Sequence, residues 1–175
     1  MTISHSSVGD AREVMVEIRK GWDERMAKII LIYASMSGNT EEMADAIAAG
    51  VREAGEDLTV MEVTDADAAD LAGYDGILLG AYTWGDGELP YEFLDFYDDM
   101  EGLDLSGAKA AVFGSCDSCY AQVGKAVDIL MERLRELGSE IVQDGLKVEL
   151  TPSDSDKELC RAFGRNIVNS VIHGT

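Results

Sequence analysis

Basic residues are scarce in this chain. Only 14 Lys and Arg stand against 34 Asp and Glu among 175 residues, a formal net charge of −20. Nucleic acid is thereby excluded as a partner, since phosphate contacts are made by Lys and Arg. No apolar run approaches the ~20 residues of a membrane span, so no membrane is expected as a partner either. The opening residues Met1-Thr2-Ile3-Ser4-His5 lack the basic and apolar regions of a secretion signal, which makes a cytoplasmic location the simplest expectation. Three cysteines, an odd number, do not make a disulfide framework. The two histidines, His5 and His173, lie near the chain's ends. Imidazole catalysis therefore has no candidate, and no His, Cys and Asp cluster shows metal-ligand spacing.

What remains is an ordinary globular composition, 46% hydrophobic, at a length suited to one domain. Strands are expected at 29–33, 58–63, 76–81 and 109–114. A fifth runs through 140–142 and resumes at 146–148. Helices are expected after each: from Glu41, over Ala66–Ala72, over Tyr91–Met100, over about Gln122–Leu137, and from a capping box at Ser155-Asp156-Lys157-Glu158. The last helix should bury Leu159, Phe163, Ile167 and Val171. Strict β-α alternation means a three-layer α/β sandwich, a five-stranded parallel sheet with helices on both faces. For order 2-1-3-4-5 the ligand crevice lies at the carboxyl ends of strands one and three.

Residues 1–25 stand outside this alternation, and the domain proper is read as 26–175. Met26 is a natural start, and Lys20-Gly21-Trp22 can be encoded by a purine-rich run resembling a ribosome-binding site. The first 25 residues are expected to be a translated leader from a mis-assigned start, or else a disordered extension.

Three loops at strand ends carry the chemistry. Ser35-Met36-Ser37-Gly38-Asn39-Thr40 joins a buried strand to a helix N-terminus. There, unpaired N–H groups, hydroxyls and the helix dipole favour an anion. With no Lys or Arg in the loop, and neither a P-loop nor a G-x-G-x-x-G pattern, it suits a terminal phosphate monoester held by neutral donors. Tyr82-Thr83-Trp84-Gly85-Asp86 offers an aromatic ring for a planar ligand and a glycine whose peptide can rotate. Ser115-Cys116-Asp117-Ser118-Cys119-Tyr120 offers small donors and a second aromatic. The Cys116-x-x-Cys119 pair reads better as pocket lining than as a redox dithiol. With no nucleophile–base pair, the chemistry should belong to a cofactor.

The run Leu31 to Thr40, followed by Ala44 and Ile47, resembles the flavodoxin signature around the FMN phosphate. Thr83-Trp84-Gly85-Asp86 is similar to that family's second flavin loop, and Asp117-Ser118-Cys119-Tyr120 to its third. The resemblance runs from Met26 to the C-terminus, and the absence of an insertion in strand five is similar to short-chain bacterial members. It implies a flavodoxin-like fold and non-covalent FMN. Ser35 to Thr40 would hold the phosphate, and Trp84 and Tyr120 would sandwich the ring. Backbone of Ser115 to Asp117 would meet the pyrimidine edge, and the Gly85–Asp86 peptide would turn to the flavin N5. The implied role is that of a low-potential one-electron carrier. Its partners would be a ferredoxin/flavodoxin–NADP reductase and cytochrome P450, desaturase or radical-enzyme acceptors. Alternatives are an FMN-dependent NAD(P)H quinone or flavin reductase and a ribonucleotide-reductase activator flavoprotein. Strand one ends in Tyr33-Ala34-Ser35, which disfavours a phospho-receiver.

The acid is unevenly distributed. Sixteen Asp and Glu and no Lys or Arg lie between Glu53 and Ala108, whereas basic residues gather in the last two helices. A monomer carrying a negative pole at the flavin edge is expected, docking basic-surfaced redox proteins.

Overall fold

The computed structural model describes residues 26–174, so residues 1–25, expected as a leader or a disordered extension, lie outside the described residues. In chain order the elements are β1 (Lys28–Tyr33), α1 (Asn39–Glu53), β2 (Asp57–Glu62), β3 (Gly76–Gly80) and α2 (Leu94–Asp99). There follow β4 (Lys109–Cys116), α3 (Lys125–Glu136), β5 (Glu140–Ile141), β6 (Leu146–Glu149) and α4 (Asp154–His173). The sheet runs β2-β1-β3-β4-β5, every pairing parallel, as the alternation requires. Its fifth position is shared by two short strands. Lys109 and Ala110 pair with β5, and Phe113 to Cys116 pair with β6. Between them the chain dips against α3 at Gly145, where a Cβ would lie 2.6 Å from Val127 Cγ1. Gln143 Nε2 donates to the Phe163 carbonyl at 2.9 Å.

Strand residues alternate between two cores, the signature of a sheet buried on both faces. Ile30, Ile32, Leu79 and Val112 pack with Phe93, Phe96, Leu130 and Leu134 on the α2/α3 side. Ile29, Leu31, Leu78 and Phe113 pack with Met43, Ile47, Phe163 and Ile167 on the α1/α4 side. On that second side the helices lie unusually close. A Cβ on Gly50 would fall 2.1 Å from the Arg161 carbonyl oxygen, and one on Gly164 2.2 Å from that of Ile47. Glycine is thus required on both helices for backbone to touch backbone. Lys157–Glu42 at 3.0 Å and Arg165–Glu53 at 2.9 Å bracket the crossing.

Several helices differ from expectation at their ends. The 66–72 segment holds a 3-10 turn, Ala68–Gly73, preceded by another at Val63–Asp65, and together they bury only Val63, Ala68 and Leu71. With so little apolar stripe, nothing supports a longer α-helix. Tyr91–Phe93 is likewise a 3-10 turn leading into α2, and Leu94 is exposed rather than packed. α3 begins only after Gly124, whose φ of 65° breaks the helical path and leaves Val123 outside and exposed. The α4 capping box is Ser153 with Asp156, each side chain bonded to the other's backbone N–H, and not Ser155 with Glu158. The stripe it sets is Cys160, Phe163, Gly164, Ile167 and Val168, so Leu159 points to solvent.

The close helix crossing is testable. Gly164→Ala should lower the midpoint of urea unfolding by an amount worth about 1–3 kcal/mol, the usual cost of forcing extra volume into a packed core. Gly73→Ala, with nothing within 4 Å of its Cβ, should leave the midpoint nearly unchanged.

Candidate functional site

Each of the three loops is braced where it leaves its strand. In the first, Gly38 takes φ 90° as the N-cap of α1, so the helix starts without a side chain from its own cap. Ser35 Oγ accepts from Glu41 N at 3.2 Å, which closes the loop on the first helical turn. Thr40 is 1% exposed, and its hydroxyl lies 2.7 Å from that of Ser115, which is 7% exposed. This buried pair pins the start of α1 to the end of β4. When the Thr40 hydroxyl accepts from Ser115, its own proton stays free to be donated. Asn39 Oδ1 accepts from Thr151 Oγ1 at 3.2 Å.

The second loop is a tight reversal in which Trp84 and Glu88 exchange backbone hydrogen bonds, both 2.8 Å. Gly85 (φ 51°) and Gly87 (φ 115°) supply left-handed conformations that other residues adopt only with strain. A Cβ on Gly87 would lie 2.7 Å from that of Gln122, so this loop leans directly on the third. Thr83 Oγ1 accepts from Ala126 N at 3.2 Å, serving the first turn of α3. Tyr82 donates its phenol to Glu92 Oε1 at 2.8 Å. Burial, aided by that carboxylate, pushes the Tyr82 phenol well above its ordinary range, so it remains a donor at neutral pH.

In the third loop Asp117 organises the turn: its Oδ1 accepts from Cys119 N at 2.9 Å and its carbonyl from Tyr120 N at 3.2 Å. Ser118 is hydrogen-bonded to Glu149. Cys116 and Cys119 are free thiols. Burial raises Cys116, and hydrogen bonding to Asp117 raises Cys119, so neither is a ready thiolate. Cys160 is fully buried in α4, and burial pushes its thiol up to about 11.

The loops meet in a cleft of about 400 Å³. Met36, Ser37 and Asn39 line it from the first loop, Tyr82 to Gly85 from the second, and Ser115 to Asp117 with Tyr120 from the third. Ser35, Gly38, Thr40 and Asp86 do not line it; the first three shape the loop beneath. Leu150 does line it and was not anticipated. It follows β6, its N–H donates to the Cys116 carbonyl at 2.9 Å, and it is the one non-glycine among the described residues with positive φ, 57°. The signal that could have found it is its place just past a strand's carboxyl end. Trp84 and Tyr120 leave 48% and 53% of their surface exposed. Two half-open aromatics in one crevice offer stacking surface that the fold itself leaves unused. No Lys or Arg lines the cleft. Among the described residues no group of His, Cys, Asp or Glu could hold a metal, and no helix is long and apolar enough to cross a membrane.

Known proteins share this sequence and fold. The sequence model described as Flavodoxin matches residues 31–164. Probable flavodoxin 2 of Bacillus subtilis (strain 168) is 48% identical over 141 residues, 80% of this chain and 93% of that protein. Probable flavodoxin 1 of the same organism is 45% identical over 144 residues, 82% of this chain and 91% of that one. The crystal structure of oxidised flavodoxin 1 from Bacillus cereus superposes with a TM-score of 0.80. It is 58% identical, covering 82% of this chain and 98% of that one. Family profile, sequence relatives and fold therefore agree: the chain belongs to the flavodoxins, electron-transfer proteins that bind FMN.

Proposed function

We propose that this flavodoxin is a low-potential one-electron carrier whose FMN lies in the cleft between the three loops. The observation that carries the reading is the pairing, in one crevice, of two half-exposed aromatics with a helix N-terminus that its N-cap residue leaves without a side chain. The donor set suits FMN. Hydroxyls, an amide and first-turn N–H groups would take the phosphate at the start of α1, where the helix dipole favours negative charge. Trp84 and Tyr120 would cover the ring, and the backbone of Ser115 to Asp117 would meet its pyrimidine edge. Bound there, FMN supplies the redox chemistry, taking and giving electrons singly.

The chain's own residues would tune that chemistry. No cation lines the cleft, and Asp117 does. Negative charge added to the ring would thus meet like charge in a poorly solvated place, which lowers the potential. Gly85 would let its peptide turn and present a carbonyl to a proton held at the flavin N5, a rotation that a Cβ restricts. The acids of the Glu53–Ala108 stretch would orient a basic partner, raising the association rate more than the affinity. Positive charge lies elsewhere and is partly engaged, as in Lys147–Asp128 at 3.0 Å. A ferredoxin/flavodoxin–NADP reductase as donor fits such a surface. Cytochrome P450, desaturase or radical-enzyme acceptors fit it too. The carrier is proposed to act as a cytoplasmic monomer.

An anaerobic reductive titration followed by absorbance tests the carrier reading directly. The native protein should pass through a one-electron-reduced stage. Gly85→Ala should reduce the maximum fraction at that stage while leaving affinity for oxidised FMN within a few-fold. A single two-electron step in the native protein would refute the reading.

Stacking is tested by titrating FMN into the FMN-free protein. Trp84→Ala and Tyr120→Ala should each weaken binding by about 1–3 kcal/mol, by analogy with base–aromatic stacking. Unchanged affinity in both variants would place the ring elsewhere.

Docking is read from electron-transfer rates at limiting partner concentration. These should fall steeply between 0.01 and 0.1 M salt as the Debye length shrinks from ~30 Å to ~10 Å. Replacing Asp86, Glu88 and Glu92 together by their amides should flatten the slope, whereas replacing acids of α4 should not.

A further inference from the structure

Glu92 differs from the acids around it. Glu88, Tyr91 and Asp95 are exposed, Tyr91 to 85%, but Glu92 is half-buried and accepts the Tyr82 phenol at 2.8 Å. Tyr82 in turn lines the cleft. An exposed carboxylate is screened by water and salt and acts weakly on a neighbouring site. A half-buried one, fixed by a hydrogen bond to a cleft-lining ring, acts through protein and is screened less.

We infer that Glu92 is an electrostatic link between docking and redox state: Tyr82 holds its carboxylate beside the cleft, so ion pairing there by a cationic partner raises the potential of the bound flavin. The inference rests on FMN occupying the cleft as proposed above. Its sign follows from charge. Glu92 disfavours the electron added to the flavin, and a cation on Glu92 relieves that repulsion. By linkage, whatever factor the cation adds to reduction, reduction adds to cation binding. The reduced carrier therefore holds a basic partner more tightly than the oxidised one, and giving up its electron weakens the complex. Between the oxidised and the fully reduced forms two electrons and one proton enter the flavin, leaving one net negative charge, and no covalent bond between protein and partner forms or breaks.

Tetralysine serves as the probe, with the full-length FMN-loaded protein and dithionite as the source of both electrons. Binding is measured by anaerobic calorimetry to the oxidised and reduced forms, and the potential is measured against indicator dyes with and without the peptide. Fully reduced protein should bind tetralysine at least threefold more tightly than oxidised protein, matched by a rise of about 14 mV in the two-electron potential at 29.6 mV per tenfold. Glu92→Gln, which keeps an acceptor for Tyr82 but removes the charge, should bring the ratio to one. Tyr82→Phe should diminish it, and Asp95→Asn should preserve it. In the FMN-free protein, Glu92→Gln should also move the Tyr82 phenol down toward its ordinary range in an absorbance titration, a readout independent of flavin. A ratio that persists in Glu92→Gln, or that Asp95→Asn abolishes equally, would overturn the inference. If Trp84→Ala and Tyr120→Ala weaken FMN binding while Glu92→Gln leaves the ratio unchanged, the link alone fails. If neither aromatic matters for FMN, the proposed site itself fails.

Discussion

Everything at the carboxyl edge of this sheet depends on where α1 points, and that is set by its contact with α4. Gly50 and Gly164 let the two helices approach until a Cβ on either would strike the other's carbonyl oxygen. Met43, Ile47 and Val51 are driven onto the sheet between them, each with no exposed surface. A helix held along its whole length has no freedom to swing its first turn. The N–H groups there, and the loop from Ser35 to Gly38, are thus held in place, so the anion site proposed there would not have to be ordered on binding.

The opposite walls are held by a different device. The second loop is a glycine-rich reversal, but it is tied at Thr83 to the N-terminus of α3 and pressed at Gly87 against Gln122. The loops bearing Trp84 and Tyr120 brace one another. The buried Thr40–Ser115 hydroxyl pair then joins the first loop to the third. Three loops that are distant in sequence become one crevice, and the aromatic surface they leave open is surface the core could have used. A chain that leaves Trp84 and Tyr120 half-exposed forgoes part of a burial worth about 1.5–3 kcal/mol when a large apolar side chain is fully buried. Loss of that size is retained where a ligand makes use of the surface.

Charge acts on a longer scale. Acids dominate the central stretch, while the cations of the last two helices are spent in pairs such as Lys157–Glu42 and Arg165–Glu53. No cation lines the cleft, so under the proposed placement of FMN the surrounding acid would bear on both the flavin's potential and its choice of partners. Tyr82 and Glu92 bring these two consequences into a single hydrogen bond.

Much of this was legible from the chain because it depends on local pattern. Apolar β-branched runs alternating with helical stripes dictate a parallel sheet covered on both faces, and small donors between strand and helix dictate an anion loop. Helix ends were less legible. Gly124 delays α3, and Ser153 rather than Ser155 opens α4, because two serines two residues apart carry the same propensity and packing chooses between them. Long-range partners could not be read at all. That Leu150 would enter the cleft and that Thr40 would meet Ser115 depend on elements distant in sequence that the sheet brings to one edge, and that Glu92 would accept a phenol from the cleft wall depends on how the chain after β3 folds back. Residue type sets what a side chain can do, but its partner is set by how the layers stack.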